Sequence, residues 1–245
     1  MAVEEHSMVR DKIVIITGAA GGIGAEIARS FEREGATVCI IDRAENEYYI
    51  GDIGDKETIE HFARQVVGDH GRVDVLVNNA PPINRGISDC SYEEFQTALA
   101  VGVTAPFYLT QCLLPYFSQG SAIINITSTR AAMSQKESES YAAAKGALAS
   151  LTHALAISLG PRIRVNAIAP GWIDTTGSTW KGADSAQHPA GRVGLPSDIA
   201  AMVLFLASEK AAFITGETIT IDGGMSRQMI YHNDWGWSLT VPAEG

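Results

Sequence analysis

The stretch TGAAGGIG, residues 17–24, joins an apolar strand at 12–17 to an amphipathic helix at 22–34. Glycines in such a turn let the backbone come close to a pyrophosphate, and the free N–H groups and positive dipole at the helix N-terminus hold that anion. Glycine-rich turns also occur for structural reasons alone. The position of this turn between a strand and a helix is what favours a binding role. The turn predicts a dinucleotide site at the start of the first helix.

Short β-branched runs alternate with longer amphipathic segments along the rest of the chain. Runs such as IVIIT, VDVLV and AIINI are almost entirely apolar, which is typical of a parallel sheet covered by helices on both faces. No repeat, linker or shift in composition divides residues 1–245. We therefore expect a single α/β domain with a doubly wound parallel sheet of the Rossmann type. The predicted strands are 12–17, 37–41, 48–52, 73–78, 122–126, 164–169 and 218–221, and the predicted helices are 22–34, 55–70, 91–117, 141–159 and 196–206.

The connection between the second and third predicted strands is unusually short. Only residues 43–47 separate them, which is too few for a helix that crosses over a parallel sheet. Either a bare loop makes this shortened crossover, or the strand at 48–52 is wrongly assigned.

Composition narrows the classes of partner. The chain has 18 Lys and Arg against 28 Asp and Glu, a formal net charge of −10, which disfavours strong electrostatic binding of nucleic acid or anionic lipid. Cysteines 39, 90 and 112 form no Cys-x-x-Cys pair and no metal-type spacing, so we expect reduced thiols and no metal site. Apolar stretches fall short of the roughly 20 residues that span a bilayer, and residues 1–12 lack the apolar region of a signal peptide. These features predict a cytoplasmic protein with a small-molecule ligand and no nucleic-acid or membrane partner.

Asp42 ends the second predicted strand, 18 residues after Gly24. A carboxylate at this distance from the glycine turn meets the adenosine ribose hydroxyls of a dinucleotide. It would repel a 2′-phosphate, and the glycine turn carries no Lys or Arg to attract one, so the sequence favours NAD over NADP. Arg43 keeps the alternative open, because its guanidinium can reach a 2′-phosphate.

Further motifs follow the glycine turn in order: Asp52-Ile53, Asn78-Asn79-Ala80, Ser128, Y-x-x-x-K at 141–145, P-G-x-x-x-T at 170–175 and Asp222-Gly223-Gly224. With T-G-x-x-x-G-x-G at 17–24, this set resembles the short-chain dehydrogenase/reductase family over nearly the whole chain, and it is similar to the 3-oxoacyl reductase and glucose dehydrogenase-like members. The resemblance implies a cofactor site formed by Gly18, Ala20, Gly22, Ile23, Gly24, Asp42, Arg43, Asp52, Ile53, Asn79, Ala80, Tyr141, Lys145, Pro170, Gly171, Ile173 and Thr175.

Ser128, Tyr141 and Lys145 match the family's catalytic residues. Hydride transfer at a carbinol carbon needs a group that exchanges the hydroxyl proton, and a free Tyr with a pKa of about 10 is a poor base at neutral pH. Lys145 lies one helical turn from Tyr141 on the same face, so it is expected to lower the pKa of Tyr141 and to bind the nicotinamide ribose. Ser128 is expected to hydrogen-bond the substrate oxygen. A surface helical pair is the structural alternative for Tyr141 and Lys145.

Two positions depart from the family pattern. Gly102 stands where the family has an Asn that helps to hold a water in the proton relay, so we expect either a relay completed by backbone, water or Thr104, or a slower enzyme. Pro81 replaces the last glycine of N-N-A-G. Proline removes an N–H and restricts φ, which predicts a stiffer pocket wall beyond Ala80.

The substrate side of the pocket is expected around Pro81, Arg130, Trp172 and Trp180. Arg130 pairs either with a carboxylate or phosphate of the substrate or with a nearby Asp or Glu. The two tryptophans stack on a ring or sugar, or they are packing residues. A predicted lid at 172–191, whose part from 176 to 191 is polar and short, offers few apolar contacts to a steroid or a long acyl chain.

A tail at 225–245 follows Asp222-Gly223-Gly224. Tyr231, Trp235 and Trp237 are costly to expose, so the tail is expected to pack on another surface, with a disordered end as the alternative. The resemblance implies a homotetramer or homodimer, in which the tail lies over a neighbouring subunit.

These observations predict an NAD-dependent oxidoreductase that acts on the CH–OH group of a small polar or cyclic alcohol, such as a polyol, sugar or hydroxy acid, or on the matching ketone. A 3-oxoacyl reductase that uses NADPH is the first alternative, disfavoured by Asp42 and the net charge. The second is a nucleotide-binding regulatory or scaffold protein with little turnover. Gly102 favours this scaffold alternative, and the complete set of Ser128, Tyr141 and Lys145 argues against it.

Overall fold

Seven parallel strands form one sheet in the computed structural model, which describes residues 9–238 and 240. The strands are β1 (Ile13–Thr17), β2 (Thr37–Asp42), β3 (Tyr49–Ile50), β4 (Val73–Asn78), β5 (Phe117–Ile126), β6 (Ile163–Pro170) and β7 (Thr218–Ile221). Their spatial order is β3-β2-β1-β4-β5-β6-β7, so the chain builds outward from β1 in one direction and from β4 in the other. This order confirms the predicted doubly wound sheet, whose direction reverses between β1 and β4.

Helices cover both faces of the sheet. They are α1 (Gly22–Arg33), α2 (Lys56–His70), α3 (Tyr92–Leu99), a π-helical turn (Ala100–Thr104), α4 (Ala105–Leu113), α5 (Glu139–Leu159), the short α6 (Ala183–Ala186) and α7 (Pro196–Ala207). Short 3-10 segments occur at Leu114–Tyr116, Thr129–Ala131, Glu209–Ala211, Met225–Arg227 and Asp234–Gly236.

The two faces of the sheet explain why its strands are apolar without alternation. Successive residues of a strand point to opposite faces. Val14 and Ile16 therefore pack in one core with α1 and α7. Ile15 and Leu76 pack in a second core with α2 and α4 on the other face.

The crossover between β2 and β3 is a bare loop, which confirms one of the two alternatives left open by the sequence. The strand predicted at 48–52 is too long, since only Tyr49 and Ile50 pair with β2. Asn46 stabilises the loop in place of a helix: its side-chain oxygen accepts hydrogen bonds from the N–H groups of Tyr48 and Tyr49, at 3.0 and 2.9 Å. Its amide nitrogen donates to the carbonyl of Ala44 at 3.0 Å.

The helix predicted at 91–117 is wrong in two respects. It is divided by the π-helical turn, and it stops before Phe117, which is the first residue of β5 and pairs with Val73. Pro115 lacks a backbone N–H and so cannot continue the α-helical hydrogen bonding. The buried strand position of Phe117 is set by pairing with a residue 44 positions earlier, which a local pattern does not reveal.

Two helical stretches, Tyr92–Tyr116 and Glu139–Leu159, are long and apolar enough to cross a membrane by length and composition alone. Polar residues interrupt both stretches, so neither is a continuous apolar run in the sequence. Their length and composition are weak evidence for a membrane span, because core helices pass the same test. In this fold, Leu109 of the first stretch and Ala156 of the second are buried in the core that covers one face of the sheet.

The described part of the tail is largely exposed. Tyr231, Trp235 and Trp237 lie on the surface, and Trp235 is 91% exposed. Trp237 contacts His232 edge-to-face, with ring centroids 6.3 Å apart. Packing of the tail on a second subunit stays a prediction, and Leu239 and residues 241–245 lie outside the described residues.

Candidate active site

A cavity of about 520 Å³ lies at the carboxyl ends of the strands, where the sheet reverses direction. The segments that follow β1, β2, β4, β5 and β6 all contribute to its lining. Every residue of the predicted cofactor site lines it except Ala20. Ala20 acts through its backbone instead, because its N–H donates to Oδ2 of Asp42 at 2.9 Å.

The glycine turn is packed tightly against the end of β4. Gly18 has φ +67°, and a Cβ there would lie 2.6 Å from Cα of Ala80. A Cβ on Gly24 would overlap the carbonyl oxygen of Gly18. The side-chain amide of Asn79 donates to the carbonyls of Thr17 and Gly18, at 3.1 and 2.7 Å. These contacts require glycine at both positions, and they fix the backbone of the turn against the cavity.

The N-terminus of α1 carries no side-chain cap. Its N-cap is Gly21, whereas Asp55 and Ser91 cap α2 and α3 with their side chains. The first N–H groups of α1 therefore have no side-chain acceptor, and the residues of this turn line the cavity. Free amides at a helix N-terminus suit a diphosphate, so the residues present fit the central part of a dinucleotide.

Asp42 and Asp52 line the cavity on the side of β2 and β3. The Oδ2 of Asp42 accepts from Ala20, and its Oδ1 accepts from the N–H of Ala44 at 2.9 Å, so two backbone groups orient the carboxylate. Asp52 accepts from the N–H of Gly54 at 2.8 Å. The guanidinium of Arg43 lies 3.8 Å from Asp52 and is mostly exposed, which makes this a weak ion pair.

Ser128, Tyr141 and Lys145 meet at the opposite end of the cavity. Ser128 follows β5, and α5 carries the other two residues. The backbone N–H of Arg130 donates to Oγ of Ser128 at 3.2 Å, so the oxygen of Ser128 accepts a hydrogen bond while its hydroxyl can donate another. Nζ of Lys145 lies 5.6 Å from the ring centroid of Tyr141. The surface-pair alternative is wrong for Lys145, which is only 3% exposed.

Burial dominates the acid–base properties of this end. It lowers the pKa of Lys145 to about 8, while Nζ donates to the carbonyl of Ile126 at 2.6 Å. It also raises the pKa of Tyr141, and a hydrogen bond from Ser128 and the charge of Arg130 oppose that rise. The sequence-based expectation that the pKa of Tyr141 is lowered is therefore wrong for the protein alone. Removal of the phenolate from water raises the pKa by more than Ser128 and Arg130 lower it.

A buried polar chain links α5 to the sheet beneath these residues. The amide of Asn78 donates to Oδ1 of Asn125 at 2.8 Å, and the amide of Asn125 donates to Oγ1 of Thr152 at 2.9 Å. The Thr152 hydroxyl donates to the carbonyl of Leu148 at 2.8 Å. Sequence reasoning missed Asn125 and Thr152. The signal for Asn125 was a lone amide in the apolar run AIINI.

Gly102 lies in the π-helical turn and does not line the cavity, although Thr97 and Val101 do. A Cβ on Gly102 would lie 2.7 Å from Cβ of Ala144 and 3.3 Å from Cγ of Pro82. Glycine therefore permits close contact of this turn with α5. Thr104 is exposed and outside the cavity lining, so the structure does not bring it to the site as the sequence alternative required.

Of the predicted substrate residues, Pro81 lines the cavity, and Arg130, Trp172 and Trp180 do not. Trp172 and Trp180 contact each other edge-to-face, with centroids 4.7 Å apart, so packing is their observed role. His188 lies 6.0 Å from Trp172 in the same aromatic group. The predicted lid contains a single helical turn, α6, and no long apolar helix. Within the described ranges, no group of three His, Cys, Asp or Glu side chains is arranged to hold a metal ion.

A cavity at the point where a parallel sheet reverses direction is typical of nucleotide-binding folds, and here Ser128, Tyr141 and Lys145 line it. A family model described as enoyl-(acyl carrier protein) reductase matches residues 18–226. An uncharacterized oxidoreductase from Thermotoga maritima is 40% identical over 91% of this chain and 99% of its own length. A 3-oxoacyl-[acyl-carrier-protein] reductase from the same organism is 34% identical over 87% and 97%.

Solved structures agree with this comparison. An apo SCOR enzyme from Clostridium thermocellum has a TM-score of 0.88 and 44% identity, covering 95% of this chain and 99% of its own. Thermoplasma acidophilum aldohexose dehydrogenase has a TM-score of 0.86 and 32% identity, with 94% and 99% coverage. A metagenomic blue fluorescent protein in complex with NADPH has a TM-score of 0.82 and 28% identity, with 89% and 99% coverage. The chain belongs to the short-chain dehydrogenase/reductase family and is an oxidoreductase.

Proposed function

We propose that this enzyme transfers a hydride between NAD and the carbinol or carbonyl carbon of a small polar or cyclic alcohol or ketone. The observation that carries the proposal is one continuous cavity with Asp42 at one end and Ser128, Tyr141 and Lys145 at the other. Uncapped amides of α1 lie between these ends, where a dinucleotide has its diphosphate.

The choice of NAD rests on Asp42. Its carboxylate is oriented by two backbone N–H groups and lines the cavity, so it favours ribose hydroxyls and disfavours a 2′-phosphate. NADP is the alternative, since the exposed Arg43 is held only by a weak pair with Asp52. One related protein has been solved in complex with NADPH, so the experiment below uses both cofactors.

When bound, the nicotinamide supplies a two-electron hydride acceptor or donor. In the reduction direction the carbonyl carbon would gain a hydride and its oxygen would take the proton of the Tyr141 phenol, which burial keeps protonated by raising its pKa. The Ser128 hydroxyl donates a hydrogen bond to the substrate oxygen and stabilises negative charge there. Lys145 provides a positive charge beside Tyr141 and a donor for a ribose hydroxyl, and the carbonyl of Ile126 orients its Nζ.

A small substrate fits the wall of this pocket. Pro81 and Ile83 line the cavity on this side, while Trp172 and Trp180 are engaged with each other. The lid has no long apolar helix to cover an acyl chain or steroid. A 3-oxoacyl reductase is the second candidate, supported by 34% identity to an enzyme of that name.

We further propose a cytoplasmic homotetramer or homodimer with no nucleic-acid or membrane partner. Exposed apolar side chains on the outer helices support self-association, including Phe107 on α4 and Ile157 on α5, which is 84% exposed. Exposed Trp235 in the tail supports a further contact between subunits. The formal charge of −10 opposes binding to nucleic acid.

A panel of alcohols and ketones with both cofactors tests the proposal, with nicotinamide absorbance as the readout. We expect turnover of polyols, sugars or hydroxy acids with NAD. Preference for NADPH and 3-oxoacyl thioesters would support the second candidate. Tight NADH binding without turnover of any compound on the panel would contradict the proposed substrate class.

A further inference from the structure

Arg130 lies directly beside the catalytic hydroxyls. It occupies the 3-10 turn Thr129–Ala131, and its backbone N–H donates to Oγ of Ser128 at 3.2 Å. Its guanidinium carbon lies 5.7 Å from the ring centroid of Tyr141. The guanidinium therefore lies against the ring of Tyr141 at the edge of the site, outside the cavity lining, and Arg130 contacts Ser128 through its backbone alone.

This guanidinium has no carboxylate partner among residues 9–238, whereas Arg43, Arg85 and Arg192 each form ion pairs. Its hydrogen bond goes to the neutral side-chain oxygen of Gln135. An arginine that is half-buried without a counter-charge suits an anionic ligand.

The acidic residues nearby in the chain are occupied elsewhere. Glu137 accepts from the N–H and the hydroxyl of Ser88, at 3.1 and 2.7 Å. Glu139 accepts from the N–H of Ile87 at 2.9 Å. The structure therefore removes the sequence alternative in which Arg130 pairs with a neighbouring acid.

We propose that Arg130 binds a carboxylate of the substrate, which makes the substrates small hydroxy acids and the matching oxo acids. The carboxylate would lie one or two carbons from the reacting carbon, because the guanidinium lies 5.7 Å from the ring of Tyr141, and binding would require the guanidinium to leave Gln135 and turn into the cavity. A planar guanidinium can donate two parallel hydrogen bonds to a carboxylate. This inference rests on the proposed dehydrogenase function and narrows its substrate class.

Matched substrate pairs provide the test. Lactate is compared with 1,2-propanediol, and 3-hydroxybutyrate with 1,3-butanediol, in both enantiomers and with both cofactors. Each pair shares the reacting CH–OH group and differs in the carboxylate. The readout is the ratio of kcat/KM for acid to diol. This ratio cancels any effect of Arg130 on the pKa of Tyr141, since both substrates use the same phenol.

We expect the unaltered enzyme to prefer the acids, and Arg130→Gln to reduce the ratio by about 10- to 100-fold, mainly through KM of the acid. Arg130→Lys should retain part of the preference. Arg64→Gln on the exposed surface of α2 is the matched control and should leave the ratio unchanged.

Three results would overturn the inference while leaving the dehydrogenase function in place. They are an unchanged ratio in Arg130→Gln, a preference of the unaltered enzyme for diols, and a preference for a phosphorylated alcohol over its carboxylate counterpart. Absence of turnover with every compound and both cofactors would instead reject the dehydrogenase function, and the inference with it.

Discussion

A Cβ atom on Gly102 would lie 2.7 Å from Cβ of Ala144. The π-helical turn therefore packs directly against the helix that carries Tyr141 and Lys145. This contact gives a physical reason for glycine at the position where related enzymes carry an amide.

Gly102→Asn should destabilise the protein by about 1–3 kcal/mol, because the new side chain meets Ala144 on a buried helix face. Urea unfolding and kcat are to be measured together. Gly68→Asn is the control, since a Cβ there meets nothing within 4 Å. The double variant with Ala144→Gly should recover part of the loss beyond additivity. An Asn variant with full stability and raised activity would contradict this account.

Tyr141→Phe should lower kcat by about 10²- to 10⁴-fold, because it deletes the oxygen that exchanges the substrate proton. NADH affinity and melting temperature should change little, since the ring and its contact with Lys145 remain. Tyr116→Phe, which alters a surface residue, controls for loss of a phenol elsewhere. Near-normal kcat in Tyr141→Phe would remove Tyr141 from the proton-transfer role.

Asp42→Ala should narrow the difference between NADH and NADPH affinity, because it removes the acceptor of the ribose hydroxyls and the charge that repels a 2′-phosphate. Fluorescence titration of both cofactors measures this. Arg43→Gln is the companion variant and should leave NADH affinity nearly unchanged. The unaltered enzyme could instead bind NADPH more strongly than NADH, and Arg43→Gln could abolish this preference. That result would show that the enzyme uses NADP and that Arg43 binds its 2′-phosphate.

The buried Lys145 predicts a pH-dependent stability difference. Its pKa is about 8 in the folded protein and 10.5 as the ordinary value, so between these pH values the unfolded state binds more protons. The cost of burying the charge is fully present below pH 8 and disappears as pH rises toward 10.5. Relative to Lys145→Met, the unaltered protein should therefore gain up to about 3 kcal/mol across this window. Urea unfolding at pH 7, 8, 9 and 10 measures the difference, and a flat difference would show that burial does not perturb Lys145.

Thr152→Val should cost about 1–3 kcal/mol, because it leaves the buried amide of Asn125 without its acceptor. Thr110→Val is the matched control. The Thr110 hydroxyl is also buried, but its described hydrogen bond is a donation to the Pro106 carbonyl of its own helix. Chemical denaturation should show a larger loss for Thr152→Val. Equal losses would mean that the Asn78–Asn125–Thr152 chain adds no stability of its own.

Local chemistry made much of this protein predictable. A strand, a glycine turn and a helix follow one another within residues 12–34, and their conformations depend on neighbours in the chain. Because all the strands are parallel, their carboxyl ends lie at one edge, and motifs as far apart as Asp42 and Thr175 meet in one cavity. Periodicity therefore sufficed for the fold class, and the glycine turn with Asp42 sufficed for one part of the proposed cofactor site, whereas the other residues of that site followed from the resemblance to the family.

Contacts between distant segments decided the rest. Phe117 belongs to a strand because it pairs with Val73, and Gly102 is small because Ala144 lies against it. Arg130 has a neutral partner because the acids near it in sequence are held by Ser88 and Ile87 on another loop. Each of these outcomes depends on which atoms lie within a few ångströms after folding, and residue type and spacing along a single chain do not contain that distance.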